Sequence, residues 1–221
     1  KIPIVFTSAG NPATWTATLK SHGITVVHVV SSAKFALKAE QAGCDAIVAE
    51  GFEAGGHNGR EETTSFILIP SVCEKVKVPV IAAGGIATGR QMLAALVLGA
   101  EAVQVGSRFV ASVEASNHLN FKKAVLSANE GDTVLSLKQL TPVRLLKNEF
   151  YNRVKQAEEK GAGKAELEAL LGKGRAKRGM FEGDLVEGEL EIGQVSALIH
   201  EIKPAAEIIS EIWTEFNSLL N

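Results

Sequence analysis

Along the first half of the chain, apolar runs of strand length alternate with stretches of helical period. Ile2–Ser8 reads as a strand, Pro12–Ser21 as a helix with Asn11 placed to cap it, and Thr25–Val30 as the next strand. Ser32–Ala42 predicts a helix ending at Gly43, Ala46–Ala49 a strand, Phe66–Val76 a helix and Val80–Ala83 a strand. Arg90–Leu98 then predicts a helix closed by Gly99, and Ala102–Val105 a fifth strand. Strands apolar on both faces and separated by helices predict an α/β fold with a parallel sheet covered on both sides.

The second half lacks that alternation. Phe121–Ser127, Asn148–Lys160, Lys164–Leu171, Ile192–His200 and Ala205–Leu220 read as helices, the last started by Pro204. Gly131–Arg144 reads as a loop with turn signals, and the basic run Lys173–Arg178 as a solvated loop. This divides the chain into residues 1–112, five β/α units, and 113–221, a helical extension that packs on them and offers a lid or a homodimer surface. Five units fit the later part of a TIM-type (β/α)8 barrel whose first three strands are not in this sequence, because nothing after Val105 reads as a strand. An open doubly wound sheet is the structural alternative.

Composition narrows the class. With 221 residues, 46% hydrophobic residues and a formal charge of −2, the chain can bury a substantial core and carries no basic excess for nucleic acid. No apolar run approaches the roughly 18–20 residues of a membrane span, and the N-terminal Lys1–Phe6 lacks the features of a signal peptide. Cys44 and Cys73 form no CxxC pair and read as buried free thiols, which fits a cytoplasmic protein.

The chemistry concentrates in three segments. Val80–Gly89, with Gly84 and Gly85, and Gly99–Phe109, with Gly106 and Ser107, each run from a strand into glycine and then into helical sequence. This is how consecutive strand ends hold a phosphate: backbone N–H groups face the anion and glycine lets it approach. The other segment, Glu50–Arg60, follows the strand Ala46–Ala49. Glu50 and His57 therefore stand where barrel enzymes place their chemistry, while Gly55 and Gly56 let backbone approach a flat ring. Imidazole titrates near neutrality and suits proton transfer; a glycine-rich turn with a surface histidine is the plain alternative. His28, inside an apolar strand, reads as a hydrogen-bonded core residue or one facing a cofactor, and His22, His118 and His200 as solvent-facing.

Four ordered motifs, Thr7–Pro12, Glu50–His57, Ala82–Gly89 and Gln104–Phe109, resemble those of the FMN-dependent nitronate monooxygenase family, formerly 2-nitropropane dioxygenases. That family includes the flavin-dependent enoyl-acyl-carrier-protein reductase II. The resemblance continues into Glu191–Ile199 and Lys203–Ile209. It implies a β/α barrel binding FMN, with Ala83, Gly84, Gly85, Gln104, Gly106 and Ser107 at the phosphate end. Ser8, Gly10, Asn11, Gly55 and Gly56 would line the rest, with His57 catalytic beside the ring and Glu50 supporting it. The implied reactions are NAD(P)H-dependent reduction of a trans-2-enoyl thioester, a small molecule or carried on acyl-carrier protein, or oxidation of an alkyl nitronate with O2. The motifs and the tail favour the first, and a non-catalytic phosphate-binding domain is the remaining alternative. No metal is implied.

Overall fold

The computed structural model describes residues 2–220. Its main sheet is parallel and contains β1 (Ile4–Ser8), β2 (Thr25–Val30), β3 (Ala46–Glu50), β5 (Val80–Ala83) and β6 (Ala102–Gln104), paired in that order. These are the five strands that the alternating pattern predicts. Helices α1 (Ala13–Ser21), α2 (Ala33–Gln41), α3 (Ser65–Cys73) and α4 (Gly89–Val97) connect them. Ser32 and Thr88 begin α2 and α4 by accepting the N–H of Phe35 and of Gln91 on their hydroxyls. At α1 the cap position belongs to Pro12, and Asn11 accepts the Ala13 N–H through Oδ1 at 3.3 Å.

Val26, Ile47 and Val80 from the strands meet Ala36, Leu68 and Val72 from α2 and α3 in one buried cluster. All five strands point the same way, so their C-terminal ends collect on one side. Among the described residues, β1 and β6 each have a single neighbour in this sheet.

The second half departs from the helices-and-loops expectation. β7 (Thr133–Ser136) and β8 (Val143–Leu146) form an antiparallel hairpin inside the stretch read as a loop, and β4 (Gly56–His57) adds to the other side of β8. The pattern hid β8 because Arg144 interrupts an apolar run yet is itself buried, so no alternation survives. Beyond β4 the extended segment 189–192 continues along β8, bridging Glu191 to Leu145.

The remaining elements are α5 (Ser107–Val110), α6 (Leu119–Leu126), α7 (Glu149–Glu159), α8 (Lys164–Leu171), α9 (Arg175–Met180) and α10 (Ala205–Ser218). The basic run enters α9 rather than remaining a loop: Lys173, Lys177 and Arg178 are exposed as expected, but Arg175 stacks over Phe150 at 4.4 Å and pairs with Glu187 at 3.2 Å. Gln194–Leu198 is a 3-10 turn rather than an α-helix. His118 is half-buried rather than solvent-facing, its Nδ1 accepting the Asn120 N–H at the start of α6. Cys44 is buried, Cys73 half-buried, and both are free. No helix among the described residues is long and apolar enough to cross a membrane.

Candidate functional site

The ends of β5 and β6 form the floor of a cavity of about 210 Å³. Gly84 and Gly85 both have positive φ, 86° and 74°, and a Cβ on Gly84 would lie 2.9 Å from the Gly51 carbonyl oxygen. The amides of Gly84, Gly85 and Gly106 donate to no protein acceptor among the described residues. A Cβ on Gly106 would meet nothing within 4 Å, so that side is open. Ser107 accepts the Gly193 N–H on Oγ at 2.9 Å, which leaves its own proton to donate. Ala83 and Gln104 complete this wall. No basic side chain lines the cavity, while the carboxyls of Glu50, Glu53 and Glu191 do, so an anion seated at the strand ends would depend on the backbone N–H groups and the Ser107 hydroxyl. The residues present fit the phosphate of a nucleotide.

The opposite wall is the loop from Gly51 to Gly56, and two side chains hold it. Glu53 accepts the Ser65 N–H at 2.9 Å and the Ser65 hydroxyl at 2.9 Å, which ties the loop to the first turn of α3. Arg144 reaches across from β8, donating Nε–H to the Phe52 carbonyl at 3.0 Å with its guanidinium 4.3 Å from the centre of the Phe52 ring. Burial pulls its pKa below the ordinary guanidinium value, and Nη2 finds no acceptor. Gly55 has no room for a side chain, since a Cβ would stand 2.5 Å from the Gly193 nitrogen.

His57 lies beyond this loop, exposed, on β4 opposite Val143. It does not line the cavity of the strand-end glycines. It faces a second cavity of about 310 Å³ whose walls include Ser8, Gly10, His28 and Thr141. Glu50 lines both cavities and joins them. Thus the residues expected to act together occupy two adjoining spaces, with Gly55 and Gly56 on the first and Asn11 on neither. Burial raises the Glu50 carboxyl to about 7. His28 is buried with Nδ1 2.7 Å from Thr7 Oγ1, and burial lowers its pKa.

Two further carboxyls stand near His57 that the sequence reading did not single out. Glu189 and Glu191 point to the same side of the segment along β8, while Leu190 between them enters the core. Glu191 Oε2 would be 2.9 Å from a Cβ on Gly56. Burial, reinforced by Glu191, raises Glu189 to about 7; burial also raises Glu191, with the nearby His57 imidazole acting in the opposite sense. The alternation Glu187-Gly-Glu-Leu-Glu-Ile192 was the available signal.

The family model described as nitronate monooxygenase matches residues 1–215. A probable nitronate monooxygenase from Staphylococcus saprophyticus is 31% identical over 214 residues, covering 92% of this chain and 59% of that protein. The structure of FabK from Thermotoga maritima is 44% identical with a TM-score of 0.93, covering 99% of this chain and 69% of that one. Nitroalkane oxidase from Streptomyces ansochromogenes is 26% identical with a TM-score of 0.81, covering 99% and 66%. The chain thus spans little more than half the length of the curated Staphylococcus saprophyticus relative, and its α/β fold is that of these barrel structures.

Proposed function

The chain belongs to the nitronate monooxygenase family, and from that premise we propose that it is the FMN-binding part of an oxidoreductase that reduces a trans-2-enoyl thioester with NAD(P)H. The observation that carries this reading is the likeness to FabK, an enoyl-acyl-carrier-protein reductase II, at 44% identity over 99% of the chain. That likeness extends through the end of β3, where Glu50 stands, and through β4, which carries His57.

The amides of Gly84, Gly85 and Gly106 and the Ser107 hydroxyl hold the phosphate end. FMN, were it held there, would supply the hydride chemistry that reduction of an enoyl group needs. His57 supplies a proton from a ring N–H to the α-carbon, or a hydrogen bond to the thioester carbonyl as charge develops on its oxygen. Glu50, at the join of the two cavities, is neutral over much of the range below pH 7 and leaves the site open to an uncharged electrophile.

The names of the curated relatives favour a second reading, oxidation of a nitronate with O2. There His57 would bind the anion or remove the acidic α-proton.

One experiment separates the readings. The purified full-length protein is examined for a flavin spectrum, then for NAD(P)H consumption with a crotonyl thioester and for oxygen uptake with a nitronate. Thioester-dependent NAD(P)H consumption supports the reductase, and oxygen uptake alone overturns it. A colourless protein that takes up no FMN overturns both.

A further inference from the structure

A third cavity, of about 240 Å³, lies between the β7–β8 hairpin and the turn from α8 to α9, with His57 on its inner wall. Leu137, Leu140, Val143 and Leu171 give it apolar sides. Its floor is polar. Glu189 is only 6% exposed, neither carboxyl oxygen has a hydrogen-bond partner among the described residues, and Oε1 is sealed from water.

Arg175, the nearest cation, does not meet that need. Its guanidinium donates to the Leu170, Leu171 and Glu187 carbonyls and to the Glu187 carboxylate. A buried carboxyl left without a partner is costly, and a native structure keeps one where something else completes it. The partner must have a hydrogen-bonding group flanked by apolar atoms, and it must reach His57.

Resting on the reductase reading, we propose that this third cavity is a subsite for the amide-bearing arm of an acyl thioester, with the Glu189 carboxyl hydrogen-bonded to an amide of that arm. The arm's methylene and methyl groups lie against the leucines, and its thioester end passes His57 towards the cavity shared with Glu50. Below pH 7 the carboxyl donates to an amide carbonyl; as a carboxylate it accepts from an amide N–H. A nitronate, which has no such arm, would leave the cavity unused.

The test uses the full-length flavin-loaded protein and two crotonyl thioesters, of pantetheine and of ethanethiol, together with pantetheine itself as a non-reacting probe. Glu189→Met removes the hydrogen bond, Glu189→Gln keeps one, and Ala176→Phe narrows the cavity from α9 without touching Glu189. Expected is a KM for the pantetheine ester raised about tenfold more than for the ethyl ester in Glu189→Met. Glu189→Gln should restore most of the difference, and Ala176→Phe should reproduce it. Pantetheine binding, followed by ligand-observed NMR, should weaken in parallel. Equal effects on both esters, or pantetheine binding that neither Glu189→Met nor Ala176→Phe alters, would overturn the assignment. If wild-type protein reduces neither ester, the reductase reading fails, while pantetheine binding still reports on the cavity.

Discussion

Replacing Glu50 by glutamine isolates the consequence of burying a carboxyl at the junction of two cavities. Glu50 stands at the C-terminal end of β3 with no hydrogen bond to its side chain, and burial raises its pKa from 4.5 to about 7. At about 1.4 kcal/mol per pKa unit this corresponds to roughly 3 kcal/mol between the two protonation states. Glu50 is only partly enclosed, and the solvent reaching it reduces the difference to about 2 kcal/mol. The sign follows from the direction of the rise. The neutral carboxyl's contribution to stability is complete below pH 4.5 and is lost as the pH climbs through 7.

Glutamine is neutral throughout and nearly isosteric. Wild type and Glu50→Gln should therefore be equally stable at pH 4.5, with the variant ahead by about 2 kcal/mol at pH 8.5. For a protein of this size that is a gain of about 4–8 °C in Tm at the higher pH. Thermal melts followed by circular dichroism across pH 4.5–8.5, without substrate, measure it. A Tm difference that is the same at both ends of the range would show that Glu50 does not carry the strain of burial and would refute the argument.

Further predictions concern the rest of the site. His57→Ala should lower turnover about 10²-fold or more while leaving the flavin bound and its reduction by NAD(P)H intact, as stopped-flow absorbance would show; unchanged turnover removes His57 from the chemistry. Gly84→Ala should destabilise by more than about 2 kcal/mol, since it combines positive φ with a contact on the Gly51 carbonyl. At Gly85 an added Cβ would meet nothing closer than 3.5 Å, so Gly85→Ala should act chiefly through backbone strain at φ 74° and weaken flavin binding; fluorescence titration with FMN distinguishes the two. Arg144→Lys should cost about 1–3 kcal/mol in urea denaturation and weaken FMN binding together with it, because lysine cannot both stack on Phe52 and donate to its carbonyl.

The five parallel strands were legible because each is a short apolar run bounded by glycine or polar residues, with a helical period between. Gly84 and Gly85 were legible for the related reason that their positive φ values exclude most side chains. What escaped is the antiparallel sheet. Its longer strands have four residues each, and β8 carries a buried arginine whose burial depends on Phe52, some ninety residues earlier in the chain. No local period encodes such a partnership. Glu189 and Glu191 escaped for the same reason: only their place along β8 makes the first buried and the second half-buried rather than part of a solvated tail.

That small sheet explains why the candidate residues divide between cavities. The parallel sheet alone would deliver the glycines at 84–85 and 106 and the Glu50 carboxyl to one side, and it would leave the loop after Gly51 tied only to the start of α3. Pairing His57 with Val143 fixes the imidazole to β8, and Arg144 holds Phe52 from the same strand. The register matters because adjacent residues on β8 face opposite ways. A slip of one residue would withdraw Arg144 from Phe52 and displace His57 from the cavity whose wall it shares with Glu50. The cavity of the strand-end glycines is thus built by strands near in sequence, and His57 is placed by a hairpin distant from them. Glu50 is the side chain that both arrangements share.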